Sequence, residues 1–122
     1  MLSRKGIPLR FNKNSLDITI NNEIFRTKTN DEKKVVKDYG ILIKTSNPYS
    51  KNHNSLFCLG ITGFSTMGIV QFITNQEQCE IFEKKYKNIV NEETICILFE
   101  FEIDNDLVSH TNIKYVFTSN KN

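Results

Sequence analysis

The most regular alternation of apolar and polar residues lies in the last quarter of the chain. Residues 94–104 begin as a continuous apolar run and then alternate, which places Phe99, Phe101 and Ile103 on one face of a strand. After a short acidic turn, residues 113–117 resume the alternation. The pattern therefore predicts a β-hairpin that closes the chain and adds its apolar face to the core.

A second hairpin is predicted near the start of the chain. Residues 16–20 and 23–28 both follow an extended pattern, and the asparagine pair at 21–22 tolerates the left-handed geometry of a tight turn. Ahead of this hairpin, residues 7–11 are predicted to form a short strand. Pro8 excludes a helix interior there and favours an edge position.

A further strand is predicted between the two hairpins. Residues 29–37 are polar and charged, which is typical of an exposed loop, and the apolar residues 41–43 then begin a strand that continues to Ser46. Asn47 and Pro48 end this strand, because the residue before a proline stays extended and asparagine favours turns.

One central stretch is predicted to form a strand, a tight loop and a buried helix. Leu56 to Ile61 is too short an apolar run for a helix, so it predicts a strand, and Gly60 and Gly63 break it. Ser65 or Thr66 can then cap the helix that follows. The remaining chain is organised around this stretch.

A second helix is predicted immediately afterwards. Thr74 and Glu77 have the Ser/Thr-x-x-Glu spacing of a capping box, in which each residue satisfies a backbone N–H of the other. The opposite face of this helix is charged, so it is expected to lie on the surface with one stripe inward. That stripe comprises Cys79, Phe82, Tyr86 and Ile89.

Joined in order, these elements predict the fold class. A strand at 56–61, two helices and a strand from 94 form a crossover, and crossovers within one sheet are normally parallel and right-handed. We therefore predict an α/β fold: a mixed sheet with one parallel β-α-β unit, whose crossover contains two helices, flanked by β-hairpins. At 122 residues the chain has room for one core, so residues 1–122 are predicted to form a single domain, with a partial or accessory domain as the alternative.

The loop between the central strand and its helix is the predicted ligand site. A glycine-containing turn at a helix N-terminus exposes backbone N–H donors where the helix dipole is positive, which suits an anion. Ligands bind α/β sheets at the carboxyl ends of parallel strands, so the exit of strand 41–45 would lie beside this loop if the two strands were parallel. The predicted ligand-binding residues are Gly60, Thr62, Gly63, Ser65, Thr66, Lys44, Asn47 and Tyr49.

Two interpretations of this loop remain open. In the first, the Ser65 and Thr66 hydroxyls bind the anion, Lys44 neutralises its charge, and Tyr49 or Phe64 stacks on a base. In the second, the glycines only turn the chain and allow close packing. The run matches neither the phosphate-loop nor the dinucleotide pattern, since it lacks their glycine spacing and the lysine of the phosphate loop.

Composition and charge narrow the functional classes. The chain is 39% hydrophobic and 25% charged, as in ordinary globular proteins, and its formal net charge of +2 argues against a dedicated nucleic-acid binder. No apolar run approaches the roughly 18 residues of a membrane helix, and the first residues lack the apolar core of a secretory signal. A cytoplasmic protein without membrane contact is therefore expected.

The cysteines do not indicate a metal site. Cys58, Cys79 and Cys96 are widely spaced and lie in apolar stretches, with no histidine at ligand spacing. They are predicted to be buried free thiols, and neither a metal nor a cofactor is predicted.

One combination of short motifs resembles a known kind of domain. Asp38-Tyr-Gly, an apolar strand, Asn47-Pro-Tyr and then Gly60-Ile-Thr-Gly-Phe-Ser-Thr66 resemble a poorly characterised prokaryotic α/β domain family. Family members carry an earlier strand and a Gly-Gly-Pro-x-x-Asn loop that this chain lacks, and they often have glycine at the position of Ser65. The resemblance implies a shortened version of that domain or one part of a larger assembly. It does not imply a biochemical role, and an accessory or sensing role in bacterial signalling or defence against phage is a separate hypothesis.

Three functions remain open at this point. The first is a non-enzymatic binding module that holds a small anionic, nucleotide-like ligand or a partner protein. The second is an inhibitory or structural interaction protein of viral or mobile-element origin, which docks through exposed edge strands and can form homo-oligomers. The third is a small hydrolase with Ser65 or Cys58 as nucleophile and His53 or His110 as base, although no spacing unites these residues.

Overall fold

The computed structural model describes residues 9–12, 14–46, 54–88 and 94–118. This part of the chain contains eight strands and two helices. In chain order they are β1 (Leu9–Asn12), β2 (Asp17–Ile20), β3 (Glu23–Arg26), β4 (Lys28–Thr29), β5 (Val35–Ser46), β6 (Asn54–Gly60), α1 (Gly63–Ile73), α2 (Gln76–Lys85), β7 (Thr94–Asp104) and β8 (Leu107–Thr118). The predicted strand over residues 7–11 overlaps β1, and its first two residues lie outside the described part.

The strands form two antiparallel sheets. The smaller sheet has the order β1-β2-β3. In the larger sheet β5 is central, with β7 and then β8 on one side and both β4 and β6 paired with its other side. The helices follow β6 in sequence and lead into β7.

The predicted parallel β-α-β unit is wrong. β6 and β7 each pair antiparallel with β5, so they run in the same direction but β5 lies between them. All pairs among the described strands are antiparallel, and the fold is mostly β rather than α/β. The reason is the sequence of β5, where residues 39–43 are buried on both faces and occupy the centre of the sheet. Periodicity identifies such a strand but not its neighbours.

Both predicted hairpins are present because their turns are encoded locally. Asn21, between β2 and β3, has φ 55°, and the two-residue turn between β7 and β8 has φ 51° at Asn105 and 63° at Asp106. Asn and Asp tolerate this left-handed geometry, which matches the twist of a hairpin. The predicted loop at 29–37 is only partly correct, since β4 and the start of β5 form a third hairpin within it.

The larger sheet is covered on both faces. On one face, Ile18 and Phe25 of the smaller sheet pack with Ile41 of β5 and Leu98 of β7. On the other face, Ile69 and Phe72 of α1 pack on β7, with Leu42 of β5 included in the same cluster. β5 and β7 therefore supply side chains to two cores.

The two helices begin close to the predicted positions but use different caps. Thr62 is the N-cap of α1 and Ser65 completes its capping box, whereas Ser65 or Thr66 was the expected cap. Asn75, rather than Thr74, caps α2. Gly68 allows α1 to approach the sheet, because a Cβ at this position would lie 2.5 Å from the ring of Phe101.

Candidate functional site

The predicted anion-binding loop already holds a carboxylate of the protein itself. Asp38, the fourth residue of β5, is completely buried. Its Oδ2 accepts hydrogen bonds from the backbone N–H groups of Thr62 and Ser65, both at 3.2 Å, and from the Thr62 hydroxyl at 2.5 Å. Its Oδ1 accepts a hydrogen bond from the Thr27 hydroxyl at 2.5 Å. Asp38 thus serves the N-terminus of α1 as a buried internal anion.

This arrangement explains the residues around the loop. The backbone N–H groups of Thr62 and Ser65, which were expected to bind a ligand, instead donate to Asp38. A second anion at this loop would be repelled by the Asp38 carboxylate. Gly60 is needed for close packing, since a Cβ there would lie 2.5 Å or less from Ser65 and Thr66 atoms, whereas Gly63 has open space around it. The anion site at this loop stays a prediction.

The remaining predicted ligand residues do not assemble around the loop. Because β5 and β6 are antiparallel, Gly60 pairs with Gly40 while Lys44 pairs with Leu56. The two positions are four residue steps apart along an extended strand, a distance of about 13 Å. Asn47 and Tyr49 lie outside the described residues.

The residues of the proposed hydrolase are also separate. Ser65 is completely buried and its hydroxyl donates to the Thr62 carbonyl at 2.9 Å. Burial raises the pKa of the Cys58 thiol, which is opposite to the activation of a nucleophile. His110 lies on β8, three strand spacings or about 14 Å across the sheet from β6. His53 lies outside the described residues.

A different feature is prominent on the surface, namely the edge formed by β6. Among the described strands β6 pairs only with β5. The strand contains no charged residue and no proline, and three large apolar side chains project from it with 50% (Leu56), 53% (Phe57) and 40% (Leu59) of their surface exposed. We call Asn54–Gly60 the open edge. Exposed apolar edges of this kind are templates for pairing with another chain.

Backbone geometry shows which groups of the open edge are free to pair. The Ile61 N–H donates to the Tyr39 carbonyl at 3.1 Å, in register with the β5–β6 pairs. Alternate residues of a strand direct their backbone groups to the same side, so Phe57 and Leu59 also bond to β5. The N–H and C=O groups of Leu56 and Cys58 consequently point outward.

Helix α1 adds apolar surface next to this edge. Met67 and Val70 are both exposed on α1. The start of this helix is adjacent to β6, as shown by the close approach of Thr66 to Gly60. These helix residues lie on the face of the sheet toward which Leu56 and Cys58 project, whereas Phe57 and Leu59 project from the opposite face.

The opposite edge of the sheet has a different character. β8 carries Lys114 and His110, and its pairing with β7 shifts register between Leu98 and Phe99 and again between Glu102 and Ile103. Charged residues and bulges are features by which natural sheets discourage edge pairing. Register shifts occur in the pairing of β8 and not in that of β6.

An apolar cavity lies between the sheet and the helices, at the end of β6 away from the loop. Its volume is about 460 Å³, within the range of small-molecule sites. Leu42, Phe72 and Ile95 are among its apolar residues, and Lys44 and Glu83 contribute opposite charges to its lining. Of the predicted ligand residues, only Lys44 contributes to this cavity within the described part of the chain.

Two functional features were absent from the predicted site. Asp38 is the one acidic residue of β5 and directly precedes its apolar segment, and this position was the available signal for a buried role. The open edge was hidden because its apolar run, 56–61, resembles that of a central strand. Absence of charge does not reveal whether such a strand lies in the middle of a sheet or at its edge.

The described residues contain no group of three or more histidine, cysteine or acidic side chains arranged to hold a metal ion. Within the same ranges, neither helix has the length and apolar character required to cross a membrane. No protein-family model, curated protein or solved structure matches this chain.

Proposed function

We propose that this chain is a non-enzymatic protein-interaction domain that binds its partner by strand addition at the open edge. The observation that carries the proposal is the exposure of Leu56, Phe57 and Leu59 on a strand without charge, proline or bulge. In strand addition, backbone hydrogen bonds provide affinity and alternate side chains provide specificity. The outward backbone groups of Leu56 and Cys58 can provide the affinity, and the exposed side chains can provide the specificity.

We further propose that the protein acts in the cytoplasm. Cys58, Cys79 and Cys96 are all free thiols. Free cysteines persist in reducing compartments, whereas oxidising compartments favour disulfides.

The proposed function is tested by photo-crosslinking in cells that express the chain. Benzoylphenylalanine replaces Phe57 in one version and Leu107 in the other, which is a matched control because Leu107 is 64% exposed and lies on β8. We expect a discrete protein adduct from position 57, either with the chain itself or with another protein. Adding Leu59→Lys should abolish that adduct, because a charge on the open edge opposes strand pairing.

Equal adducts from positions 57 and 107 would contradict the proposal, because labelling would then reflect exposure alone. Absence of any adduct from position 57 would also contradict it. Circular dichroism of the Leu59→Lys variant checks that loss of the adduct does not follow from loss of the fold.

A second candidate function is the binding of a small amphiphilic anion in the cavity. The supporting observation is an apolar volume of about 460 Å³ with the half-buried Lys44 in its lining. Dodecanoate is a suitable probe, and at about 100 times its dissociation constant it would stabilise the protein by roughly 2.7 kcal/mol. Cys79→Trp, which fills the cavity, should abolish the thermal shift, and Ile81→Trp, on the exposed face of α2, should preserve it. Equal shifts in both variants would exclude this site.

A further inference from the structure

We propose that the partner at the open edge is a second copy of this chain, paired antiparallel about a two-fold axis through Phe57. This inference rests on the proposed function and specifies its partner. The two larger sheets would join into one continuous sheet across the dimer. Isologous two-fold dimers are by far the commonest soluble oligomers.

The register between the two copies follows from which residues of β6 direct their backbone groups away from β5. Phe57 is the central residue of the open edge, so an axis through it gives the longest overlap of two copies. Phe57 directs its own backbone groups to β5, so the two Phe57 residues would form a non-hydrogen-bonded pair, in which side chains approach most closely. Leu56 would pair with Cys58 of the second copy, and both have outward backbone groups that can exchange hydrogen bonds.

The side chains of the strand suit pairing with themselves. In this register Ser55 faces Leu59 and Asn54 faces Gly60, so no charged residue of either strand meets another. Because β6 carries no charge, two copies of the strand can pair without repulsion between like charges. The two Phe57 rings would form a cross-strand aromatic pair, which is among the favourable pairs in antiparallel sheets.

The difference between the two edges implies a closed dimer instead of a fibre. Extension of the larger sheet beyond two copies would require β8 to pair as well, but β8 carries Lys114 and register shifts. One edge is therefore available for pairing and the other is protected.

Light scattering after gel filtration tests the assembly state of the full chain. We expect the parent protein to have twice its 14.2 kDa chain mass at about 100 μM. Phe57→Lys should weaken dimerisation by about 30-fold or more, because it removes the central aromatic pair and places like charges at the axis. Leu107→Lys changes an equally apolar, exposed residue on the other edge and should leave the dimer intact.

The register has a separate test that does not depend on a destabilising charge. In a Cys58→Ser, Cys79→Ser background, Phe57→Cys should form an intermolecular disulfide on mild oxidation, since the paired Cα atoms lie within disulfide range. Ser55→Cys in the same background should not, because its two copies would be about 13 Å apart along the strands. Equal disulfide formation in both variants would overturn the register and the proposal.

A monomeric parent at 100 μM would overturn the dimer. If benzoylphenylalanine at position 57 still captured a different protein, the proposed interaction function would stand with another partner. If position 57 captured nothing, both proposals would fail. A dimer that persists unchanged in Phe57→Lys and gives no disulfide at position 57 would use another surface, which also overturns the proposal.

Discussion

The Asp38 carboxylate accepts a hydrogen bond of 2.5 Å from the Thr62 hydroxyl, joining the centre of the sheet to the start of α1. The same oxygen also accepts from the Thr62 and Ser65 backbone N–H groups. Charge-assisted hydrogen bonds of this length are stronger than neutral ones, and burial increases the cost of losing them. The loop that resembles a ligand site therefore has a structural role in this chain.

Replacing Asp38 with asparagine should destabilise the fold. An amide has one acceptor oxygen, so its NH2 group must replace either Oδ1, which accepts from Thr27, or Oδ2, which accepts from Thr62 and Ser65. At least one of the present hydrogen bonds is then lost or reversed. We expect a loss of about 2 to 4 kcal/mol in the free energy of unfolding, measured by urea denaturation. The exposed Asp104→Asn change is the control and should alter this free energy by less than about 0.5 kcal/mol. Equal effects of the two changes would contradict the role assigned to Asp38.

Gly68→Ala should destabilise the packing of α1 on the sheet. The new Cβ would lie 2.5 Å from the ring of Phe101, which is completely buried, so the ring or the helix must shift. Overpacking of this kind costs about 1 to 3 kcal/mol, more than the improved helix propensity of roughly 1 kcal/mol restores. Gly63→Ala, where a Cβ meets open space, should leave thermal stability unchanged or slightly raised. A melting temperature for Gly68→Ala at or above that of Gly63→Ala would show that the close approach is absent.

Stability should fall at acidic pH partly through Asp17. The hydrogen bond from Asn12, supported by Arg26, lowers the pKa of this carboxyl below its ordinary value. A lowered folded-state pKa means that the unfolded chain binds the proton more readily, so this contribution is present above about pH 4 and is lost as the pH falls further. Urea unfolding at pH 7 and pH 3 should show a smaller difference for Asp17→Asn than for the parent. The exposed Asp31→Asn control should retain the parental difference.

The three thiols should differ in reactivity. Burial raises the pKa of Cys96 to about 12, and its side chain is completely inaccessible. Cys58 and Cys79 are only partly buried. With a disulfide reagent at pH 8, single-cysteine variants should therefore label at positions 58 and 79 at least about 10-fold faster than at position 96. Rapid labelling of Cys96 without denaturant would contradict the interior position of β7 between β5 and β8.

The parts of the fold that depend on neighbouring residues could be predicted. Asn21 and the Asn105-Asp106 turn encode their hairpins, and the apolar spacing of α2 encodes a surface helix. The order of the strands depends instead on contacts distant in sequence. The pattern does not reveal that β5 lies between β6 and β7, because two apolar strands look alike whether they are neighbours or not.

The candidate site was partly hidden for the same reason. The helix start at Thr62 to Ser65 could be located from its glycines and hydroxyls, but its acceptor, Asp38, is 24 residues before Thr62. The open edge depends on which strand is outermost, and this is decided by the whole sheet. The chemistry of individual residues therefore indicates the loop but not the open edge.

Residue-resolved amide hydrogen exchange of β6 tests the central claim most directly. In a dilute sample, the Phe57 and Leu59 amides should be protected by β5, while those of Leu56 and Cys58 should exchange at least about 100-fold faster. Raising the protein concentration, or adding the captured partner, should protect Leu56 and Cys58 as well. Strong protection of Leu56 and Cys58 in the dilute sample would show that the chain covers this edge itself, and would contradict the account.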